Sequence, residues 1–569
     1  MLKYCKGIIA LAVALSSTVS AFAEATWEIP QDRITDSMNR INQAYLGRDY
    51  NLVEQFVTID ESHIVDETID TKLVIDEDEI INDEVSQRML GFAFEAAQEN
   101  AETYLETNTL DLSDEYRRLA KGVRENTFKI PVIRYGGSSA NTQTNVLFHL
   151  GEMSERQKWP SIASFYDEWP ILGEHSYTNR LPAVGPVEFI KAGMELNPKA
   201  EFIICLPIQS ATVDDLVNIV RFYMDPADRS EWGALRASCG LPDPVNILFF
   251  EFGNENYVME WDGQKYADVP ALQRVNNFAD MFEEFYLKVH PLVPEAKFAV
   301  PIEKGAERRP EHWRDWNQVL ARRIGKYIDY AIPHWYYSGY EAHMWSWEND
   351  VMIQDFRDVL GEDSKVRLFA TEHGSWYPQD DSWHFRNDSL YSVLSIAQYY
   401  NLAWTEFPYL QGSTLHSWSG YGFKYIRGEM LIEGMPHMMN VYLDNIEKTA
   451  VKAELISDTD YTLKGSGGRR FTQVTMKDEE NDELVVFLNN RLPYTTFDID
   501  FEFNNEYTLV EETVFTAPNI YSFVISKETE DIFTTTVTEK NIEKFNTYKM
   551  PSKSLVVLRL KKTEPAERG

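Results

Sequence analysis

Between residues 90 and 420 the chain repeats one alternation. A short apolar run is followed by a polar break, then by a stretch with apolar residues at helical spacing. The apolar runs are Leu90–Ala96, Ile130–Gly137, Phe202–Ile208, Ile247–Gly253, Phe298–Ile302, Ile328–His334, Val366–Glu372 and Ser413–Trp418. Val213–Tyr223, Leu272–His290 and Leu390–Trp404 read as helices between them. Eight strands alternating with helices predict a (β/α)8 TIM barrel rather than an open doubly wound sheet. Polar residues stand at the ends of these runs: Glu95, Arg134, Glu255, His334, Glu372 and His416. A barrel gathers such strand ends on one face, where its active site sits.

After about residue 445 the pattern changes to short alternating stretches separated by turn residues, among them Leu484–Leu488, Asp498–Phe503, Tyr507–Val514 and Ser554–Leu560. This predicts a β-sandwich. The acidic segment 52–84 is also strand-like, so both ends of the barrel are expected to contribute strands to one accessory sandwich. The predicted division is a leader over 1–23, an N-terminal segment over 24–85, a barrel over 86–435, the sandwich over 436–562 and a tail over 563–569. Every tryptophan after Trp27 lies between Trp159 and Trp418, so the sandwich has no aromatic platform for sugars and reads as structural.

Lys3 and Lys6 precede an apolar run, Gly7–Leu15, which leads to Ala21-Phe22-Ala23. This is the layout of a cleaved export signal, too short for an ordinary membrane-spanning helix. No later segment has 18 consecutive apolar residues, so an exported, periplasmic or extracellular, soluble protein is expected. Lys+Arg 54 against Asp+Glu 90 leaves a net charge of −36, which repels nucleic acid and anionic membranes. Cys205 and Cys239 are the cysteines beyond the leader; Cys205 lies in an apolar run and reads as a buried thiol, and whether the two pair is left open. Nothing in the sequence sets an oligomeric state.

Two runs end in carboxyls. Phe249-Phe250-Glu251-Phe252-Gly253-Asn254-Glu255 closes one, and Val366-Arg367-Leu368-Phe369-Ala370-Thr371-Glu372 closes another three strands further round. Their ends face each other across a barrel mouth, and two carboxyls about 5 Å apart serve retaining glycoside hydrolysis as acid/base and nucleophile. Asn254 can bond a sugar hydroxyl. Metal ligation is the competing use of paired acids, but no compact ligand motif is present and Arg134 repels a cation; neither metal nor cofactor is expected. Arg134 can hold a carboxylate ionised and oriented, or be a surface ion pair. His334 can bond substrate, position the acid/base, or be a satisfied core histidine. Trp335, Trp345, Trp347, Trp376, Trp383 and Trp418 crowd strand ends and the loops that follow, where rings stack on sugars or simply fill core.

With these motifs in order the sequence resembles the clan A glycoside hydrolases, most closely the family 51 α-L-arabinofuranosidases. The likeness spans roughly residues 70–560. It runs through Gly91-Phe92-Ala93-Phe94-Glu95, Arg134-Tyr135-Gly136-Gly137, Gly253-Asn254-Glu255, His334-Trp335-Tyr336, Thr371-Glu372-His373 and Pro436-His437-Met438-Met439-Asn440-Val441-Tyr442. The resemblance implies Glu255 as acid/base, Glu372 as nucleophile and Asn254 on the sugar's 2-hydroxyl. It implies Glu95 on sugar hydroxyls, with His334 and Tyr336 in support. Two sugar-contacting positions depart from the family pattern: Ser138 stands where an Asn is usual, and Ser419-Gly420 follow Trp418 where a Gln is usual. The departures leave other substrates open, those of a β-glucuronidase or heparanase-like enzyme or of a galactan hydrolase such as an agarase or porphyranase. They also leave open a non-catalytic glycan-binding protein on a decayed barrel. The partner in every case is a carbohydrate.

Overall fold

The structure, a computed structural model, describes residues 40–41, 43–44, 47, 49–94, 127–137, 146–151, 156, 185–257, 270–303, 313–337, 345–375, 388–407, 409–426, 429–456 and 470–563. The leader, Glu95, Ser138 and Trp376 lie outside them, and of Tyr336 only the backbone is described.

The predicted barrel is present. Its strands are β2 (Gly91–Phe94), β3 (Val132–Tyr135), β4 (Glu201–Leu206), β5 (Ile247–Phe252), β6 (Phe298–Pro301), β7 (Tyr330–Ile332) continued past Pro333 as β8 (His334–Tyr337), β9 (Arg367–Ser375) and β10 (Leu410–His416). All neighbouring pairs are parallel, and β9 with β10 and β10 with β2 close the ring; an antiparallel hairpin, β11 (Phe423–Ile426) and β12 (Glu429–Ile432), follows the last barrel strand. The lower interior is filled by Val132, Ile203, Leu248, Phe249, Ala299, Tyr330, Ile332 and Phe369, a packed apolar layer. Side chains alternate along a strand, so residues two further on share that interior face. They are Arg134 above Val132, Cys205 above Ile203, Glu251 above Phe249, His334 above Ile332 and Thr371 above Phe369. The polar layer therefore stands directly on the apolar one.

Strand β1 (Glu67–Asn82) precedes the barrel in sequence but joins the second sheet, parallel to β16 (Thr495–Phe503) and antiparallel to β13 (Thr449–Ile456). That sheet is completed by β14 (Phe471–Asp478), β15 (Glu483–Asn490), β17 (Tyr507–Thr516), β18 (Thr534–Ile542), β19 (Thr547–Met550) and β20 (Ser554–Lys562). One sandwich thus takes strands from both sides of the barrel. In β15, Leu484, Val486 and Leu488 face the sandwich interior while Val485 and Phe487 join the barrel-side core. Burial of both faces explains why this run is continuously apolar.

The reading of 52–84 as wholly strand-like is corrected. Tyr50–Val57 is a helix, capped by Asp49, whose side chain accepts the Leu52 N–H, and it buries Val53 and Val57 at helical i,i+4 spacing. The two domains are tied through the helices Leu390–Glu406 and Gly434–Leu443. Tyr442 stacks on Phe487 at 4.9 Å, and its hydroxyl donates to Asn401 Oδ1 at 2.8 Å with the Ala397 carbonyl 3.1 Å away. Tyr442→Phe removes that bond without changing the packing. Chemical denaturation should report a loss of about 1–2 kcal/mol.

Candidate active site

The mouth of the barrel is organised by Arg134, whose side chain is fully buried. Its Nε donates to Glu251 Oε2 at 2.7 Å, Nη1 to Glu372 Oε1 at 2.7 Å and Nη2 to Asn254 Oδ1 at 2.7 Å. The planar fork thus links β3 to β9, to β5 and to the turn after β5. Burial works against its charge, but Glu251 and Glu372 outweigh it and hold Arg134 well above its ordinary value.

Glu255 is delivered by a turn that only a glycine can open. Gly253 has φ +81, and a Cβ there would stand 2.2 Å from Asn256 Oδ1. Glu255 itself has φ +48, backbone strain of the kind found at functional sites. Its side chain is 22% exposed, against 8% for Glu372. Its Oε1 accepts from the Tyr257 hydroxyl at 3.3 Å and lies 2.9 Å from His334 Nδ1. Burial, reinforced by Glu255, pushes the Tyr257 hydroxyl well up, so it stays a donor.

His334 sits among three carboxylates. Its Nδ1 is 3.5 Å from Glu372 Oε2, and its Nε2 is 3.0 Å from Thr371 Oγ1 and 3.8 Å from Glu251 Oε1. Burial opposes its charge; Glu372, then Glu251 and Glu255, prevail and push it up to about 9. The folded value lies above the ordinary one of about 6.5, so the stabilisation is complete below that pH and is lost as pH rises through about 9. Denaturant midpoints should fall across this window for the wild type and stay flatter for His334→Gln.

One oxygen each of Glu255 and Glu372, together with a His334 nitrogen, lie within 4.8 Å of one another. The same atoms would suit a metal ion by position, but Arg134 and a charged His334 face them, which disfavours a cation. Oxygens this close bring both carboxyls within reach of one glycosidic bond, as a pair of catalytic carboxyls requires.

Of the residues singled out in the sequence, Arg134, Asn254, Glu255, His334 and Glu372 converge here. Trp418 does not open onto the mouth: it is fully buried, edge-on to Phe92 at 4.8 Å and close to Phe94 and Phe423. Trp335 is likewise buried. Sequence reasoning gave no role to Glu251, Thr371 or Tyr257, whereas Cys205, read there as a buried thiol, is one. Glu251 carried a signal, a charged residue between phenylalanines in a barrel strand. Cys205 is a free, buried thiol that donates to the Gly253 carbonyl at 3.4 Å, beneath the turn carrying Glu255; burial pushes that thiol well up.

Residues 116–349 match the family model of the alpha-L-arabinofuranosidase 1 domain. No curated protein matches the sequence. In fold the chain is similar to the α-L-arabinofuranosidase of Thermotoga maritima, solved with arabinose, at TM-score 0.67 and 14% identity over 87% of this chain and 100% of that one. The family 51 arabinofuranosidases of Thermotoga petrophila (TM-score 0.67, 15% identity, 86% of this chain and 99% of that one) and Xanthomonas axonopodis pv. citri (0.64, 16%, 87% and 100%) are similar in the same way.

Proposed function

We propose that this protein, a glycoside hydrolase of clan A close to family 51 by its matched domain and its fold, cleaves by the retaining two-carboxylate route. The observation that carries this is the pairing of Glu255 and Glu372, with oxygens within 4.8 Å, across a mouth that Arg134 and His334 order. Glu372, fixed by Arg134, attacks the anomeric carbon as Glu255 gives its proton to the leaving oxygen. Glu255 then takes a proton from water, which releases the sugar with its configuration retained. Asn254, held by Arg134, presents its amide N–H groups to the sugar. The leader pattern supports export, and the matched domain makes α-L-arabinofuranosides the first substrates to try. The departures at Ser138 and Ser419 support testing galactans and glucuronides beside them.

The test is sugar release from plant and marine polysaccharides and aryl glycosides, with the product anomer followed by NMR from the first turnover. Retention is expected, and first-formed product of inverted configuration would overturn the mechanism. Glu255→Ala should lose about 10²–10⁴-fold on substrates with poor leaving groups and much less on those with activated aryl leaving groups. An equal loss on both would remove Glu255 from the acid role.

A further inference from the structure

The hydrogen-bond chain behind Glu255 has a direction. Thr371 Oγ1 lies 3.1 Å from Glu251 Oε1 and 3.0 Å from His334 Nε2. Glu251 is a carboxylate whose other oxygen already takes the Arg134 Nε–H, so it can only accept. A hydroxyl has one proton, and Thr371 spends it on Glu251. Thr371 must then accept from Nε2, so that nitrogen carries a hydrogen. The opposite nitrogen, Nδ1, faces Glu255 Oε1 at 2.9 Å. Two bare lone pairs do not sit that close in a buried site, so a proton lies between them.

Resting on the retaining reading above, we infer that Thr371 and Glu251 act as positioning residues: they fix His334 with a hydrogen on Nε2, so that Nδ1 and Glu255 share one further proton and serve as a single acid/base unit. Arg134–Glu251–Thr371–His334–Glu255 is a continuous line of donors and acceptors from the barrel interior to the acid oxygen. Tyr257 donates to the same Oε1 and Glu372 Oε2 lies 3.5 Å from Nδ1, so both also face the shared proton.

In the first step the proton passes from the pair to the leaving oxygen, with the carboxyl turning to present its O–H. The glycosidic C–O bond breaks with its electron pair on that oxygen, and a Glu372 oxygen forms the new bond to carbon. Glu255 is left as a carboxylate facing the lone pair of a neutral His334. Two acceptors in contact repel, which favours uptake of a proton from the attacking water in the second step. The lost charge of esterified Glu372 works in the other direction during the intermediate, by weakening the pair's hold on any proton it still has until water arrives. The two effects let one pair serve first as acid and then as base.

Neutron diffraction from perdeuterated crystals of the whole chain near neutral pH reads this without any substrate. The expected result is a deuteron on Nε2 aimed at Thr371, the Thr371 deuteron aimed at Glu251, and one deuteron between Nδ1 and Glu255. A bare Nε2, or a Thr371 deuteron aimed at His334, overturns the inference and leaves the two-carboxylate mechanism standing. Kinetics supply the second reading. Thr371→Val removes the acceptor for Nε2–H, so the pair should release its proton more easily, and the alkaline limb of kcat/KM should move down by about one pH unit or more. Thr371→Ser should restore it, and an unmoved limb in Thr371→Val overturns the inference. Absence of hydrolysis in the wild type would instead defeat the function, while the neutron result still decides the proton positions.

Discussion

Glu372→Ala is expected to lower kcat by about 10⁴-fold or more on any glycoside the wild-type protein cleaves, while the protein remains folded. The size follows from what is removed. Without the carboxylate no covalent intermediate forms, and the remaining groups supply only proton transfer and binding. The fold should survive because the neighbours keep partners. Arg134 retains Glu251 and Asn254, and His334 retains Glu255 and Thr371. The carboxylate leaves a site crowded with its own charge, so its loss also relieves repulsion on Glu251 and Glu255. Azide added to the variant can enter the space left by the side chain and attack from that face. The glycosyl azide so formed should have the configuration opposite to the substrate, and this assigns the nucleophile independently of the rate. Turnover that persists in Glu372→Ala, or an azide product of retained configuration, would sink the assignment.

The barrel was legible because each strand is a short apolar run between polar breaks, and each of the eight predicted runs overlaps an observed strand, although β4 begins one residue earlier, at Glu201, and β10 three residues earlier, at Leu410. Boundaries shifted where a single residue mattered. Pro333 divides the sixth strand into β7 and β8, and β9 continues past Glu372 to Ser375. The strand-end carboxyls were legible because a charged residue closing an apolar run has few structural uses. Glu251 and Thr371 were not, though they lie four and one residues before the two carboxyls. Treating a run as one apolar unit hides which of its residues point inward, and only the period-two register of a closed barrel shows that Arg134, Glu251, Thr371 and His334 share a layer. Tyr257 follows a left-handed turn whose course depends on Gly253 and Asn256 together, so spacing alone did not place it against Glu255. Trp418 shows the opposite limit. An aromatic at a strand end serves core or cleft equally well by sequence, and here Phe92, Phe94 and Phe423 surround it. The helix Tyr50–Val57 was missed because eight residues hold little more than two turns of periodicity, too few to separate from a strand without recognising the Asp49 cap.

Arg134→Met should be the most damaging single change for stability and activity together. The guanidinium is fully buried and bonded to three side chains, carried by β5, by the turn after β5 and by β9. Methionine fills much of the volume but leaves Glu251 and Glu372 buried without their cation. Breaking a buried ion pair from one side costs about 3–5 kcal/mol, because the partner charge stays behind. The site has one escape, which is to neutralise the carboxylates by taking up protons. A protonated Glu372 cannot attack carbon, so residual activity should rise with pH more steeply than in the wild type, as the nucleophile is forced to ionise without help. Combining Arg134→Met with Glu251→Gln separates the two roles. The double variant no longer buries the Glu251 charge and should regain part of the lost stability in a denaturant cycle, with coupling within the range of about 0.5–3 kcal/mol seen for groups in one network. Activity should not return with it, because Glu372 and Asn254 still lack the group that aims them. Recovery of both together would mean that Arg134 matters only as a counter-charge to Glu251, and the orientation of the nucleophile would then have to come from His334 alone.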